Sequence, residues 1–384
     1  MNKMTENLKI NFFNEYDCEP DLLFVSHGRI EIIGNHTDHN HGKCISARCD
    51  KAIYAIVRKN EDNIIRLSSV GHENNIIDLN DLTFKEDEVG TSSALVRGVC
   101  FYLKEHDFNL TGFNAISFST IPSGSGLSSS AAFETLVGNI INYYANDNRI
   151  DKITIAKAAQ FAENKYFNKA CGLLDQISVV FPAIKYIDFK NIETPHVEID
   201  KFPFDLKLIL VNTKGSHAGL DKEYSSIPDL MLSSAKKLGV NYLRETTKKH
   251  LISKKSMLNT AEFEKSLHFF DENERVENAL IAIKNKDVNM FLKCINESCD
   301  SSATLLKNTM LDTLEDSPQE VINFARSVNA DGAVKINGGG FKGTVVIYTL
   351  KEKYEYVKEQ LLNRFPQQVI EVEIDNDGQD YYSI

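Results

Sequence analysis

The chain has 384 residues, 42% of them hydrophobic and 25% charged, with a formal net charge of −11. That composition is ordinarily globular and long enough for two domains or one large one, and its acidity argues against the broad basic footprint of a nucleic-acid binder. Seven cysteines without a C-x-x-C pair argue against a disulfide framework or zinc ribbon, and no apolar run could span a bilayer or serve as a signal core, so the expectation is a reduced, soluble, cytoplasmic protein.

In chain order, residues 5–16 read as an amphipathic helix and Leu22–Val25 as a short buried strand running into a polar stretch, residues 27–43. Strands are expected at Ala52–Val57, Ile64–Ser68 and Phe113–Phe118, with a helix over 92–106 between the last two. A glycine- and serine-rich turn follows, then helices over Ala131–Ile141 and Ile153–Tyr166, the segment 171–181, and a strand at Leu206–Val211. Residues 228–326 are mostly helical in pattern. A hairpin-like pair, Gly332–Ile336 and Thr344–Leu350, flanks a second glycine-rich loop, and a helix over 351–364 and a strand at Val369–Ile374 close the chain. Strands and helices without strict alternation argue for an α+β fold. The expected domains are 1–200 and 201–384, although composition does not change sharply at the boundary.

Three stretches carry chemistry. Ile121–Phe133, IPSGSGLSSSAAF, lies between a strand and a helix, the geometry in which glycines let backbone approach an anion and helical N–H groups face it. It lacks the spacing of a Walker A or dinucleotide loop, so the local pattern allows either a phosphate cradle or a capped turn. In residues 27–43, the four histidines with Asp38 allow a zinc site, a solvated loop or a polar pocket for a polyhydroxylated substrate; Arg29, Asn35, His36 and Asp38 suit the last. Asp175 is framed by Leu173, Leu174 and Ile177, as either a helix cap or a carboxylate kept for reaction.

Taken together, these stretches resemble the GHMP kinases, and within them the galactokinase branch. The carriers are Gly34-Asn-His-Thr-Asp38, Pro122 to Ala131, Cys171-Gly-x-x-Asp175-Gln176, and Val334 to Gly343. The resemblance implies a two-domain fold, ribosomal-protein-S5-domain-2-like in the N-terminal half and ferredoxin-like with extra helices in the C-terminal half, with the active site between them. It also implies ATP-dependent phosphorylation of galactose at its anomeric hydroxyl, with Mg²⁺. By the match, Asp175 is the base and Arg29 its neighbour. Asn35, His36, Thr37, Asp38, Gly172 and Tyr224 are the substrate positions. Ser69, Gly124, Ser125, Gly126, Leu127, Ser128, Ser129 and Ser130 are the ATP positions, and Ser130 and Glu163 the metal positions.

The sequence departs from the family pattern at Asn35, where a glutamate is usual, and at His27, where a proline is usual. Asn337 replaces a threonine and Lys342 a small residue. Asn35 and His27 keep a related sugar, N-acetylgalactosamine or arabinose, open as the acceptor. A galactose-sensing regulator is the alternative class. The expected partners are a small sugar and ATP, with no nucleic acid or membrane and a monomer as the expected state.

Overall fold

The computed structural model describes residues 2–71, 73–213, 221–311, 313–315 and 317–384. The first half contains α1 (Asn2–Tyr16), β1 (Leu22–Ile33), β2 (Lys43–Lys59), β3 (Ile64–Ser69), β4 (Asn75–Asp78), α2 (Ser92–Glu105), β5 (Phe113–Ser119), α3 (Ser129–Asn146), α4 (Lys152–Phe161), α5 (Leu174–Val180), β6 (Ile184–Asp188) and β7 (His196–Asp200). The second contains β8 (Leu206–Asn212), α6 (Asp221–Lys237), α7 (Lys248–Ser253), α8 (Thr260–Asn285), α9 (Val288–Ser301), α10 (Pro318–Val328), β9 (Ala333–Asn337), β10 (Thr344–Leu350), α11 (Tyr354–Arg364), β11 (Val369–Val372) and β12 (Tyr381–Ser383). The fold is α+β, as its mixed order of elements implies.

One sheet runs β12-β1-β2-β5-β3-β4, with β6 on the first part of β2 and β7 beside β6. The strand after the Asn60–Asn63 turn does not pair back on β2: β5 lies between them, parallel to β3. One face is covered by α2, α3, α4 and α5. On α3, Ala131, Leu136, Ile140 and Ile141 are buried, each large aliphatic contributing about 1.5–3 kcal/mol by leaving water. On the other face, Leu8 and Phe12 of α1 pack on Leu23, Val25, Ile56 and Ile116.

β1 is longer than its apolar start suggests. It continues through Ser26, His27, Arg29 and Glu31, and all twelve of its residues are buried. Polar residues inside a fully buried strand hide the alternation by which strands are recognised. Its pairing with β2 shifts register between His27 and Arg29 and again between Glu31 and Ile33. Such irregularities re-aim side chains. Gly28 sits at the first, where a Cβ would lie 2.8 Å from the Leu127 carbonyl oxygen, so only glycine lets this strand approach the 121–133 loop.

The second sheet, β11-β8-β10-β9, is antiparallel, and the expected hairpin is present with Asn337 opposite Thr344. Val321 and Ile322 of α10 and Val357 and Leu361 of α11 pack on Ile209, Val345 and Ile347. The long helix α8, opened by an Asn259–Glu262 capping box, reaches back to the first sheet. Among the described residues no helix is long and apolar enough to cross a membrane.

Candidate active site

The 121–133 segment joins β5 to α3. Gly124 and Gly126 both have φ of +66°, and Ser128, the residue before α3, has φ of +58°. A left-handed serine costs about 1–2 kcal/mol and needs fixing from outside; its hydroxyl donates to Asp175 Oδ2 at 2.5 Å. The loop's carbonyls are taken up by protein donors. Asn337 Nδ2 and Arg29 Nη1 bond Gly126 O at 3.0 and 2.5 Å, Thr344 Oγ1 bonds Ser125 O at 2.6 Å, and Arg29 N bonds Leu127 O at 3.1 Å. With those oxygens engaged and no side chain capping α3, the first-turn N–H groups remain for an anion. Ser125 and Leu127 are buried, so their contribution is backbone, while Ser128, Ser129 and Ser130 present hydroxyls.

Asp175 lies in the first turn of α5. Arg29, aimed by the β1 irregularity, donates from Nε at 2.9 Å and Nη2 at 2.8 Å to Asp175 Oδ1. The Asp175 side chain is 39% accessible and that of Arg29 6%, as for a carboxylate on the floor of an open cleft with its partner in the wall. Burial among protein atoms would raise the Asp175 pKa. The Arg29 charge and the Ser128 hydrogen bond outweigh it, and the net shift is downward.

Glu163 lies in a π-helical turn, Ala162–Tyr166, that continues α4. Its Oε1 accepts from Ser130 Oγ at 3.1 Å and Lys169 Nζ at 2.7 Å, and its Oε2 from Gln176 Nε2 at 2.9 Å. Glu134, one turn along α3 from Ser130, is fully buried, and neither of its carboxyl oxygens nor Gln176 Oε1 has a hydrogen-bond partner among the described residues. A hydroxyl and a carboxylate within bonding distance, with an unspent carboxyl nearby, fit a hard divalent cation such as Mg²⁺. Lys169 and Glu134 were not singled out from the sequence; a lysine in a loop and a glutamate in a helix give no local signal.

The 34–42 turn faces the third motif. His36 Nε2 lies 2.9 Å from Gly339 O, so this nitrogen carries the proton and Nδ1, buried without a partner, is an acceptor. Burial, then the neighbouring His39, lowers the His36 pKa to about 3, which keeps the ring neutral. Asp38 lies against Gly172, where a Cβ would come within 2.1 Å of Asp38 Oδ2. Tyr224 donates to Gly340 O at 2.8 Å, and its ring lies where a Gly339 Cβ would sit 2.3 Å from Cε1. His36, Asp38, Gly172 and Tyr224 thus converge on one region.

Asn35 and Thr37 lie inside the wall of that region. Thr37 is completely buried and ties Gly34 O and Lys43 O at 2.9 and 2.8 Å. Asn35 is 1% exposed; its Nδ2 donates to Glu31 Oε1 at 3.0 Å and Gly338 O at 2.7 Å, and its Oδ1 accepts from Asn308 at 2.9 Å. Glu31 in turn pairs with Lys335 at 2.9 Å, side chains 4% and 0% exposed. His27 turns away, toward Cys49 O at 2.8 Å and Asp375. His36 and His39 have ring centroids 5.7 Å apart, but His41 stacks on Tyr242, and no three-residue metal-ligating group occurs among the described residues.

Ser69 bonds Ser117 at 2.8 Å on the β3–β5 seam, and no other site residue touches it through a hydrogen bond. It borders an open groove of about 360 Å³ against Asn11, Asn14 and Glu15 of α1. That groove includes none of Asp175, Arg29 or the 124–130 loop, so the converging groups and not this groove define the candidate site.

Two family models match: GHMP kinases N terminal domain over residues 94–182, and galactokinase galactose-binding signature over residues 11–59. The chain is 27% identical over 372 residues to the galactokinase of Clostridium beijerinckii, covering 94% of this chain and 92% of that protein. It is 28% identical over 380 residues to the galactokinase of Clostridium tetani, covering 95% and 93%. The fold matches the crystal structure of Lactococcus lactis galactokinase complexed with galactose at a TM-score of 0.85, with 20% identity over 99% of this chain and 100% of that one. It matches Methanococcus jannaschii mevalonate kinase at 0.66, with 17% identity over 93% and 99%. A strand, a serine-rich turn and a helix N-terminus held against an arginine-paired aspartate thus lie within the segment that matches the GHMP kinase N-terminal domain. Within that superfamily the chain's similarity is to galactokinases, and its residues 11–59 match the galactokinase galactose-binding signature.

Proposed function

We propose that the chain is an ATP-dependent sugar-1-kinase that converts galactose and ATP to galactose 1-phosphate and ADP. The observation that carries this is the meeting, at Asp175, of Arg29 from the galactose-binding signature and Ser128 from the serine loop. The sugar's anomeric hydroxyl gives its proton to Asp175 as its oxygen bonds the γ-phosphorus; the bond to the β–γ bridging oxygen breaks and its electron pair leaves on ADP. Arg29 keeps Asp175 ionised and offsets charge on the transferring group. The first turn of α3 and the backbone of the serine loop hold the phosphates, with the Ser129 hydroxyl. His36 Nδ1, Asp38 and Tyr224 orient the sugar. Ser130 and Glu163 would hold Mg²⁺, which supplies charge neutralisation of the phosphates. In this reading the segments 1–200 and 201–384 act as two domains with the site at their seam, in a cytoplasmic monomer, and Ser69 contributes to the nucleotide base pocket.

The test is ADP release from Mg-ATP with a panel of sugars. Galactose is expected to give the highest kcat/KM. Turnover of N-acetylgalactosamine or arabinose without galactose would replace the substrate. Binding of galactose and ATP with no turnover of any sugar would point to a sensor.

A further inference from the structure

Lys169 is built into the metal position, not draped over it. Its backbone N–H donates to Glu163 O at 2.9 Å, and its ammonium lies 2.7 Å from Glu163 Oε1, the oxygen that also accepts Ser130. Gln176 occupies the other oxygen, so both oxygens of Glu163 have donors, with an ammonium in the role of the cation. Two cations at contact distance on one carboxylate oxygen repel each other. A divalent ion taking up Ser130 and Glu163 therefore displaces Lys169 from Oε1. The lysine can move, because its side chain is 58% exposed and sits on a flexible four-carbon stem.

We propose that Lys169 is the resident counter-ion of this position and a direct phosphate contact: its ammonium rests on Glu163 before ligand arrives and passes to a nucleotide phosphate oxygen when nucleotide binds, leaving Glu163 to a divalent cation when one is present. This rests on the kinase reading above. Two consequences are measurable without turnover. Lys169 holds nucleotide even when no metal is present, and it competes with free metal for Glu163.

Calorimetric titration of ADP in EDTA, on the wild type, Lys169→Met and Lys169→Arg, tests the first; Mn²⁺ binding without nucleotide, followed by electron paramagnetic resonance, tests the second. Loss of one charge-assisted contact is expected to weaken metal-free ADP binding about tenfold or more in Lys169→Met, with Lys169→Arg retaining most of it. Free Mn²⁺ is expected to bind Lys169→Met several-fold more tightly, because a positive charge beside the carboxylate is gone. Unchanged metal-free ADP affinity, or Mn²⁺ affinity that is unchanged or weaker, would overturn the proposal while leaving the kinase reading standing. A wild type that binds no ADP with or without Mg²⁺ would overturn both. An unaltered melting temperature in Lys169→Met confirms that the variant is folded.

Discussion

Asp175 is approached from two distant parts of the chain, Arg29 on β1 and Ser128 before α3, and its two oxygens are divided between them. Asp175→Asn removes the proton acceptor but keeps the shape. Its kcat is expected to fall by about 10²–10⁴ while equilibrium galactose binding, measured calorimetrically, changes by less than about threefold; an unreduced rate of ADP release would remove Asp175 from the chemistry. Arg29 fixes the sign of a pH effect. Because its charge helps hold the Asp175 pKa below the ordinary carboxylate value, the wild-type acid limb from this group lies below that value, and activity dependent on it is present above. In Arg29→Met, burial acts with less opposition, so the acid limb of kcat/KM moves to higher pH and the rate falls. His36 adds no limb near neutrality, since its pKa is lowered to about 3. Resemblance to the family motifs pointed to Asp175 and Arg29 as a pair, and the structure brings them together; the resemblance could not show the divided hydrogen bonding at Asp175, which joins positions 146 and 47 residues away in sequence.

At the scale of elements, the β9–β10 hairpin works as a clamp on the serine loop. Asn337, in place of the usual threonine, spans two elements: its Nδ2 reaches Gly126 O and its Oδ1 accepts Glu31 N at 2.9 Å. Asn337→Ala leaves a buried N–H and a loop carbonyl without these partners, at a cost of about 1–3 kcal/mol. The expected result is a raised KM for ATP with a smaller change in the KM for sugar, read from steady-state kinetics; the reverse pattern would mean that the clamp serves the sugar side. The Gly172 loop makes the matching prediction for that side. A Cβ there would be 2.1 Å from Asp38 Oδ2, so Gly172→Ala displaces Asp38 and is expected to raise the sugar KM about tenfold or more while sparing metal-free ADP binding. Sequence pattern located both glycine-rich loops and the hairpin. It did not show that β1 runs on to Ile33, because helices cover one side and a polar cleft lies on the other, so hydrophobic alternation ends where the function begins.

Over the whole molecule, α8 ties the second half to the sugar-side turn of the first. Glu272 accepts Gly34 N at 3.0 Å and Ser298 Oγ at 2.6 Å, and pairs with Arg275 at 2.8 Å, while His268 Nε2 meets Asn35 O at 2.9 Å. Burial alone would raise the Glu272 pKa, but Arg275, His268 and the hydrogen bonds bring it from 4.5 to about 2. A carboxylate with a depressed folded pKa stabilises fully above its unfolded value, and that contribution is lost as pH falls toward the folded one; for this shift it is about 3 kcal/mol. Stability to urea should therefore fall between roughly pH 5 and pH 2, and Glu272→Gln should flatten that part of the profile while lowering stability at neutral pH. A variant that kept the wild-type slope would assign the acid sensitivity elsewhere.

The amino-acid sequence by itself determined the α+β class and the serine loop, because each rests on residues close together in the chain, while the Arg29, Asp175, Ser130 and Glu163 positions came from several short motifs whose resemblance to one kinase family needs no knowledge of how they pack. Tertiary structure decided what those positions touch. It turned Asn35 inward onto Glu31 and Asn308, placed Lys169 on the presumed metal ligand, and left Glu134 buried without a partner. Those facts depend on which distant side chains share a small, poorly solvated volume, and a linear pattern carries no measure of that.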